Sequence, residues 1–328
     1  MDVIAIVFAL LLEQWRPVTH WPLQRIDALL RGAIDSLPER LDGGHEWHAW
    51  LGWSLVVGLP ALLVGSLGAA LGLLSGVLWF LFMVVVLYFT LGFRLFSHRF
   101  TAVRDGLAAR RLDLAGAALA DWQGGPLAPT GGAMPATTPE TIARQAIERV
   151  IGEAGRWLFG GAFWFVLLPG ASGAVLYRAA DRVALRWCAA PVSTLHPGFA
   201  VVSLAALSWL DALPARLAAG AFALVGDFTG AVEGWQGATR ERPGEPRALM
   251  VAAALGALGM GPNAPAAGAG AERMPARDSD GTVDAFDGAG WDADSYAVAV
   301  RQMDGAAALV WRSLLVWLGV LGIAALIF

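Results

Sequence analysis

Apolar residues along this chain fall into long uncharged runs separated by polar stretches. Residues 71–93, LGLLSGVLWFLFMVVVLYFTLGF, carry no charge. A membrane helix needs about 20 such residues. The uncharged run 50–67 precedes it, and the small link Gly68-Ala69-Ala70 predicts a helical hairpin. Pro60 predicts a kink in its first arm. A third run, 157–179, is interrupted by Pro169-Gly170 and predicts either a kinked span or a re-entrant pair. A fourth, 199–225, carries Asp211, Pro214 and Arg216 in its middle, and a fifth, 306–328, has Arg312 near its start. The uncharged core at 3–12 is short for a span and predicts either a short first span or a segment in the interface. The fold class is therefore all-α: a polytopic membrane protein, one membrane domain over 1–328, with about five transmembrane or partly re-entrant helices.

The polar segments have their own periodicity. Residues 94–156 hold eight arginines. Residues 97–122 read as helical, with Leu107, Arg110, Arg111, Leu114 and Ala118 in pattern, and Gly124-Gly125-Pro126 starts a loop. Thr138-Pro139-Glu140 is a helix start: an N-cap, a proline in the first turn and an acid at the positive dipole end. The helix after it places Ala143, Ala146, Ile147, Val150, Ile151 and Ala154 on one face, so it is amphipathic and needs a partner. Residues 258–292 are rich in Gly, Ala, Pro and Asp and predict a disordered loop.

Composition sharpens the class. Mean hydropathy is +0.57 and only 15% of residues are charged, so membrane integration is expected rather than a soluble core. The net charge of -4 argues against nucleic acid as a partner. All basic residues are arginine. The arginine load of 94–156 places that loop in the cytoplasm, in a bacterial inner (plasma) membrane crossed several times. The N-terminus lacks a basic n-region and a small-x-small cleavage site, so it is expected to be retained. Cys188 is the single cysteine, which excludes an internal disulfide and a cysteine metal cluster.

The chemistry-bearing residues are few. Asp211 and Arg216 are five apart, about 140° around a helix, and do not share a face. Pro214 between them predicts a helix break, with Asp211 accepting from freed amides and Arg216 reaching another acid or a headgroup. The competing reading is a ligand site. Glu148, Glu153 and Arg156 lie on or beside the amphipathic helix, either as solvated charges with i,i+4 pairing such as Glu140 to Arg144, or as a polar mouth facing Arg178 and Asp181. His45-x-x-His48 has helical spacing but no third ligand nearby in sequence, so no metal is expected there. Gly72-x-x-x-Gly76 and the neighbourhood of Gly161 are candidate helix contacts. The tryptophans read as interface anchors.

The block IERVIGEAGRWLFGGAFWFVLLPGASGAVLYRAADRV (147–183), followed by WLDALPARLAAGAFALVGDF (209–228), resembles the CobD/CbiB superfamily of bacterial membrane proteins. The start, LLLEQWRPVTHWPLQRID (10–27), and the apolar tail fit as well, so the resemblance covers most of the chain outside about 229–300. One branch is adenosylcobinamide-phosphate synthase, which forms an amide in cobalamin assembly. Another is AmpE, an inner-membrane protein named for its link to β-lactamase induction. The synthase branch carries an ESxAEN-type run with an Asp shortly after. Aligned on Phe163-Trp164, this chain has Glu148 for the first acid, Gly152 at the second and Arg156 at the Asp, with Glu153 one place off. The GRDT-like segment is replaced by GGAMPATTPET. The LDSM-type run after Tyr177-Arg178 is replaced by DRVALRW. The paired acids ahead of the PARL-type motif (214–217) become Leu207 and Ser208, and Asp211 stands where the synthase has Asn. The single-acid LD…P.RL pattern and the GDF run resemble the AmpE branch.

The resemblance implies an accessory or regulatory membrane protein without turnover. Its candidate polar site is Glu148, Glu153, Arg156, Arg178, Asp181, Asp211 and Arg216, with no catalytic residue, metal or cofactor expected. Expected partners are the lipid bilayer, a protein bound through 94–156 and a second copy of the chain. The alternative is an enzyme forming the amide between adenosylcobyric acid and aminopropanol phosphate, with Mg²⁺ and ATP as its cofactors, because carboxylate activation usually needs a metal held by acidic oxygens. A transporter is disfavoured by the few spans and the lack of an inverted repeat.

Overall fold

A computed structural model describes residues 2–15, 23–41, 45–91, 93–124, 138–189, 197–261, 291 and 293–327. The expected disordered loop at 258–292 lies for the most part outside them. Every regular element among the described residues is helical, and three helices are long and apolar enough to cross a membrane.

The chain opens with α1 (Asp2–Trp15) and α2 (Leu23–Leu41). The first long apolar helix is α3 (Glu46–Leu74), 29 residues and about 43 Å. It runs straight through Gly68-Ala69-Ala70, where the sequence predicted the hairpin turn. Small residues do not break a helix by themselves; the break comes at Ser75, whose backbone is extended (φ -165, ψ 132). The return arm is α4 (Gly76–Leu91). A Cβ at Gly72 would meet the Trp79 ring at 3.3 Å and one at Gly76 would meet nothing within 4 Å, so this pair flanks a turn rather than forming a helix seam.

The continuous helix expected at 97–122 is two helices, α5 (Phe93–Ala108) and α6 (Leu112–Gln123). Arg110 at the turn takes a positive φ of 57°. Gly106 permits the tight return: a Cβ there would sit 2.8 Å from the Ala115 nitrogen. The predicted helix start at Thr138 is present. The Thr138 hydroxyl oxygen accepts the Thr141 N–H at 3.1 Å and opens α7 (Pro139–Ala154). All six residues expected on the apolar face of α7 are buried.

From there the chain continues without a break through a π-helical turn (Gly155–Gly160) into α8 (Gly161–Leu167), making one rod over 139–167. Pro169-Gly170 then reverses it, with Gly170 at φ +72°, and α9 (Ser172–Ala189) runs back against α8. The 157–179 run is thus a helix pair and not a kinked span. The next long helix, α10 (Pro197–Val225), passes through Pro214 unbroken, which corrects the predicted break.

Residues 226–261 hold a hairpin that sequence periodicity did not mark: α11 (Phe228–Glu241) and α12 (Pro246–Ala257). Its seam is glycine. A Cβ at Gly230 or Gly234 would collide with the carbonyls of Gly256 and Ala252, and one at Gly256 with the carbonyl of Gly230. This small-xxx-small crossing lets two backbones touch, which larger residues would prevent. The last helix, α13 (Ala293–Ile327), spans about 52 Å. Its first half buries Tyr296, Ala299 and Met303 in the core that includes α5 and α7. Its second half brings Trp317 against Phe159 and Phe163 at 5.7 and 6.1 Å. One core therefore joins the polar segment to the membrane helices. Leu62, Leu73, Trp209 and Leu224 stay largely exposed, as expected of side chains compatible with lipid.

Candidate functional site

Pro214 has no N–H, so the carbonyl of Leu210, one turn earlier in α10, loses its helical donor. The indole Nε1–H of Trp164 on α8 takes the vacant place at 3.1 Å. This external donor lets α10 pass through a proline without breaking. Asp211 therefore has no freed amide to accept from and is available for other partners.

Those partners come from α9 and α12. Tyr177 packs its ring against Gly160 in the π turn, where any Cβ would collide with it. Gly173 in turn lies against the Trp164 backbone, which brings α9 close to α8. So placed, the Tyr177 hydroxyl donates to Asp211 Oδ1 at 2.6 Å. One helical turn on, Asp181 is buried on the same face of α9. Arg247, in the first turn of α12, joins the two acids: its Nε lies 2.6 Å from Asp211 Oδ2, and its Nη2 donates to Asp181 Oδ1 at 3.1 Å. The glycine seam between α11 and α12 is what carries this guanidinium to the acids.

Two further guanidiniums approach Asp181, Arg156 Nε and Arg178 Nη1, each at 3.5 Å. Arg178 is buried, and its guanidinium carbon lies 3.0 Å from the centre of the Trp157 ring, a cation–π contact that helps hold a charge out of water. Of the candidate site residues, Arg156, Arg178, Asp181 and Asp211 are brought together here. Arg216 is not among them. Its Nη1 donates to the Ala212 carbonyl on its own helix at 2.7 Å, on the exposed side.

In front of this lattice lies a cavity of about 630 Å³ between α7 and the α11–α12 hairpin. Its inner end is formed by Arg156 and Arg247, one wall by Ala248, Val251 and Leu255, and its outer part by Glu241, Arg242 and Glu245. Glu148 and Glu153 line the α7 wall. Glu148 pairs with Arg144 at 3.0 Å, so Arg144 reaches Glu148 rather than the Glu140 read from the sequence. Glu153 accepts from the Trp122 indole at 3.1 Å and meets Arg149 at 3.2 Å. Burial pushes its carboxyl above the ordinary glutamate range, against the opposing pull of Arg149 and the Trp122 N–H.

Sequence reasoning missed Arg247, the residue that ties the site together. Its signal was local: Glu245-Pro246 followed by the small and apolar run 248–258 marks a helix start with an arginine in its first turn.

The arrangement bears on metal chemistry. An Mg²⁺ ion needs several oxygen ligands free to coordinate it. The Asp181 and Asp211 oxygens are already engaged by guanidiniums and a phenol. Among the described residues no group of three or more His, Cys, Asp or Glu side chains is placed to hold a metal. His45 and His48 stack at 5.9 Å beside Trp47 without a third such ligand. The donor set does not fit Mg²⁺.

The sequence is 37% identical over 122 residues to the cobalamin biosynthesis protein CobD of Chromobacterium violaceum, covering 36% of this chain and 37% of that protein. It is 30% identical over 230 residues to the cobalamin biosynthesis protein CobD of Stutzerimonas stutzeri, covering 69% of this chain and 71% of that one. The first match thus spans little more than a third of its relative, the second over two thirds. No family model matches, and no solved structure matches.

Proposed function

The chain belongs to the CobD/CbiB family, and within it we propose a non-catalytic, AmpE-like accessory protein of the bacterial inner membrane. The observation that carries this reading is the Asp181–Arg247–Asp211 bridge. Two interior carboxylates that could have held a metal are instead neutralised by arginine at 3.1 and 2.6 Å. The sequence supports the same reading, because the acids and the phosphate-loop segment of the synthase branch are replaced together. In this role the bundle sits in lipid, and the 94–156 segment, whose helices α5, α6 and α7 share one core with α13, is the surface for a protein partner.

A second reading is favoured by one observation, the name that both relatives carry. On it the chain forms the amide between adenosylcobyric acid and aminopropanol phosphate, using Mg²⁺ and ATP. The two readings separate in one assay. The detergent-purified protein is incubated with both substrates, ATP and Mg²⁺, and the amide is sought by mass spectrometry beside an active synthase. We expect no product above the no-protein control. Amide above that control sinks the non-catalytic reading.

A further inference from the structure

We infer that α8 and α9 form a re-entrant hairpin: residues 157–177 enter the bilayer and leave it on the side that carries α5, α6 and α7, so the Asp181–Arg247–Asp211 bridge and its cavity face that side. The inference goes beyond the proposed function and does not depend on whether the chain is catalytic.

The first argument is where the ends of the run meet. Between Arg156 and Arg178 the chain has 21 uncharged residues, enough for one complete span. A span would hold its two ends about 30 Å apart. Here both flanking arginines reach one carboxylate, Asp181, at 3.5 Å each. The guanidinium carbon of Arg178 lies 3.0 Å from the centre of the Trp157 ring. Farther in, a Cβ on Gly160 would collide with the Tyr177 ring, and one on Gly173 with the Trp164 carbonyl. The outgoing and returning arms are thus paired along their length, and the run begins and ends at one depth.

The second argument is the depth of the tip. The outgoing arm, 157–167, is at most about 17 Å long, against a hydrocarbon core of about 30 Å. The joint of α3 and α4 at Ser75 marks the far end of that pair. The hairpin tip stops short of it. A Cβ on Gly65 would sit 3.2 Å from the Ser172 Cβ, and one on Gly170 2.9 Å from the Met83 methyl. Gly65 and Met83 lie about 15 and 12 Å from Ser75 along their helices.

The third argument is the backbone. Irregular backbone at membrane depth is tolerated only where the protein satisfies it. The Leu168 N–H donates to the Trp164 carbonyl at 3.0 Å, and the Ser172 hydroxyl donates to the Pro169 carbonyl at 2.8 Å. Pro169 has no N–H to satisfy. Gly170 takes the positive φ that the reversal demands, and Ala171 is buried.

The fourth argument is charge. Re-entry places Arg178, Arg182 and Arg186 on the same side as the eight arginines of 94–156. A full crossing would put those three on the opposite face, against the bias of arginine for one side of a membrane. The apolar hairpin then lies between the lattice and the far face, and whatever meets Arg156 and Arg247 in the cavity arrives from the side of α7.

The experiment is labelling of the full chain by a membrane-impermeant maleimide, in right-side-out and in inverted native-membrane vesicles. Cys188 is exposed near the end of α9 and is the sole cysteine, so the parent chain reports that end directly. Ala117 is exposed on α6, and Ala117→Cys in a Cys188→Ser background reports the 94–156 side. Both chains are expected to label in the same vesicle orientation and to be protected in the other. Ala189→Cys in the Cys188→Ser background repeats the reading at the last residue of α9. Labelling of 188 and 189 in the orientation opposite to 117 means that 157–177 crosses, and overturns the inference. Protection of both positions in both orientations, with labelling only in detergent, overturns it as well, because it leaves the end of α9 inside the bilayer. The labelling reads orientation alone, so its failure leaves the non-catalytic reading to the amide assay.

Discussion

Arg144 and Glu148 meet at 3.0 Å on the surface of α7, with 47% and 42% of their side chains exposed. Arg247 and Asp211 meet at 2.6 Å between α12 and α10, with 24% and 7% exposed. The chemistry is the same and the energetics differ. An exposed pair trades one set of water contacts for another and contributes about 0–1 kcal/mol. In a buried pair each charge has already lost its water, so removing one partner strands the other at about 3–5 kcal/mol. The surface pair decorates a helix that forms without it. The interior lattice decides how α9, α10 and α12 sit together.

The largest expected effect breaks the interior set at its centre. Arg247→Met keeps the stem volume but leaves Asp181 and Asp211 without their bridge, and is expected to cost about 3–5 kcal/mol. Thermal or denaturant unfolding in detergent checks it; a loss under about 1 kcal/mol would place this lattice with the surface pairs.

Next is the direct contrast. Asp211→Ala is expected to cost about 2–4 kcal/mol, because it frees the Tyr177 hydroxyl and one face of Arg247. Glu148→Ala is expected to cost less than about 0.5 kcal/mol. Equal, negligible shifts for both variants in a thermal-shift measurement would remove the distinction.

Trp164→Phe is expected to cost about 1–2 kcal/mol, since the Leu210 carbonyl loses its donor while most of the ring volume remains. Adding Pro214→Ala should recover part of the loss by restoring a helical N–H; a double variant no better than Trp164→Phe would assign the cost to packing instead.

The smallest effect belongs to Glu153, which lies between the two sets. Its carboxyl is raised in the fold by burial. The sign follows: the protonated form is favoured in the folded state, so this contribution is present below the ordinary glutamate pKa of about 4.3 and is lost as pH rises through the raised value. Glu153→Gln should flatten the stability–pH curve in that window and leave stability at pH 7 unchanged or slightly higher. An unchanged curve would mean the carboxyl is effectively solvated.

How much was legible depended on whether the signal was local. The Thr138-Pro139-Glu140 start and the buried face of α7 follow from capping chemistry and a period of 3.6, and the structure has both. The turn after α3 was misplaced, and the one after α5 was missed within a stretch read as one helix. Gly68-Ala69-Ala70 looks like a link but is helix-compatible, and Arg110 at positive φ carries no glycine to announce it. The α11–α12 hairpin escaped notice because its seam is made of glycines, which give no hydrophobic period. Of the seven candidate site residues, four meet in the lattice, Glu148 and Glu153 line the cavity, and Arg216 turns away.

The sequence by itself determined the helical class, the uncharged runs long enough for a membrane, and which charges would be conspicuous inside them. Each of these rests on residues near one another in the chain, through hydrogen bonds four residues apart and on the cost of charge in an apolar run. The tertiary structure alone decided that Pro214 would not break α10, since the donor that satisfies the Leu210 carbonyl is Trp164 on α8, 46 positions from Leu210. It alone decided that Asp181 and Asp211 would share Arg247, 66 positions beyond the first of them. Those outcomes depend on packing distances between helices, and the glycines that set these distances have no side-chain pattern to read.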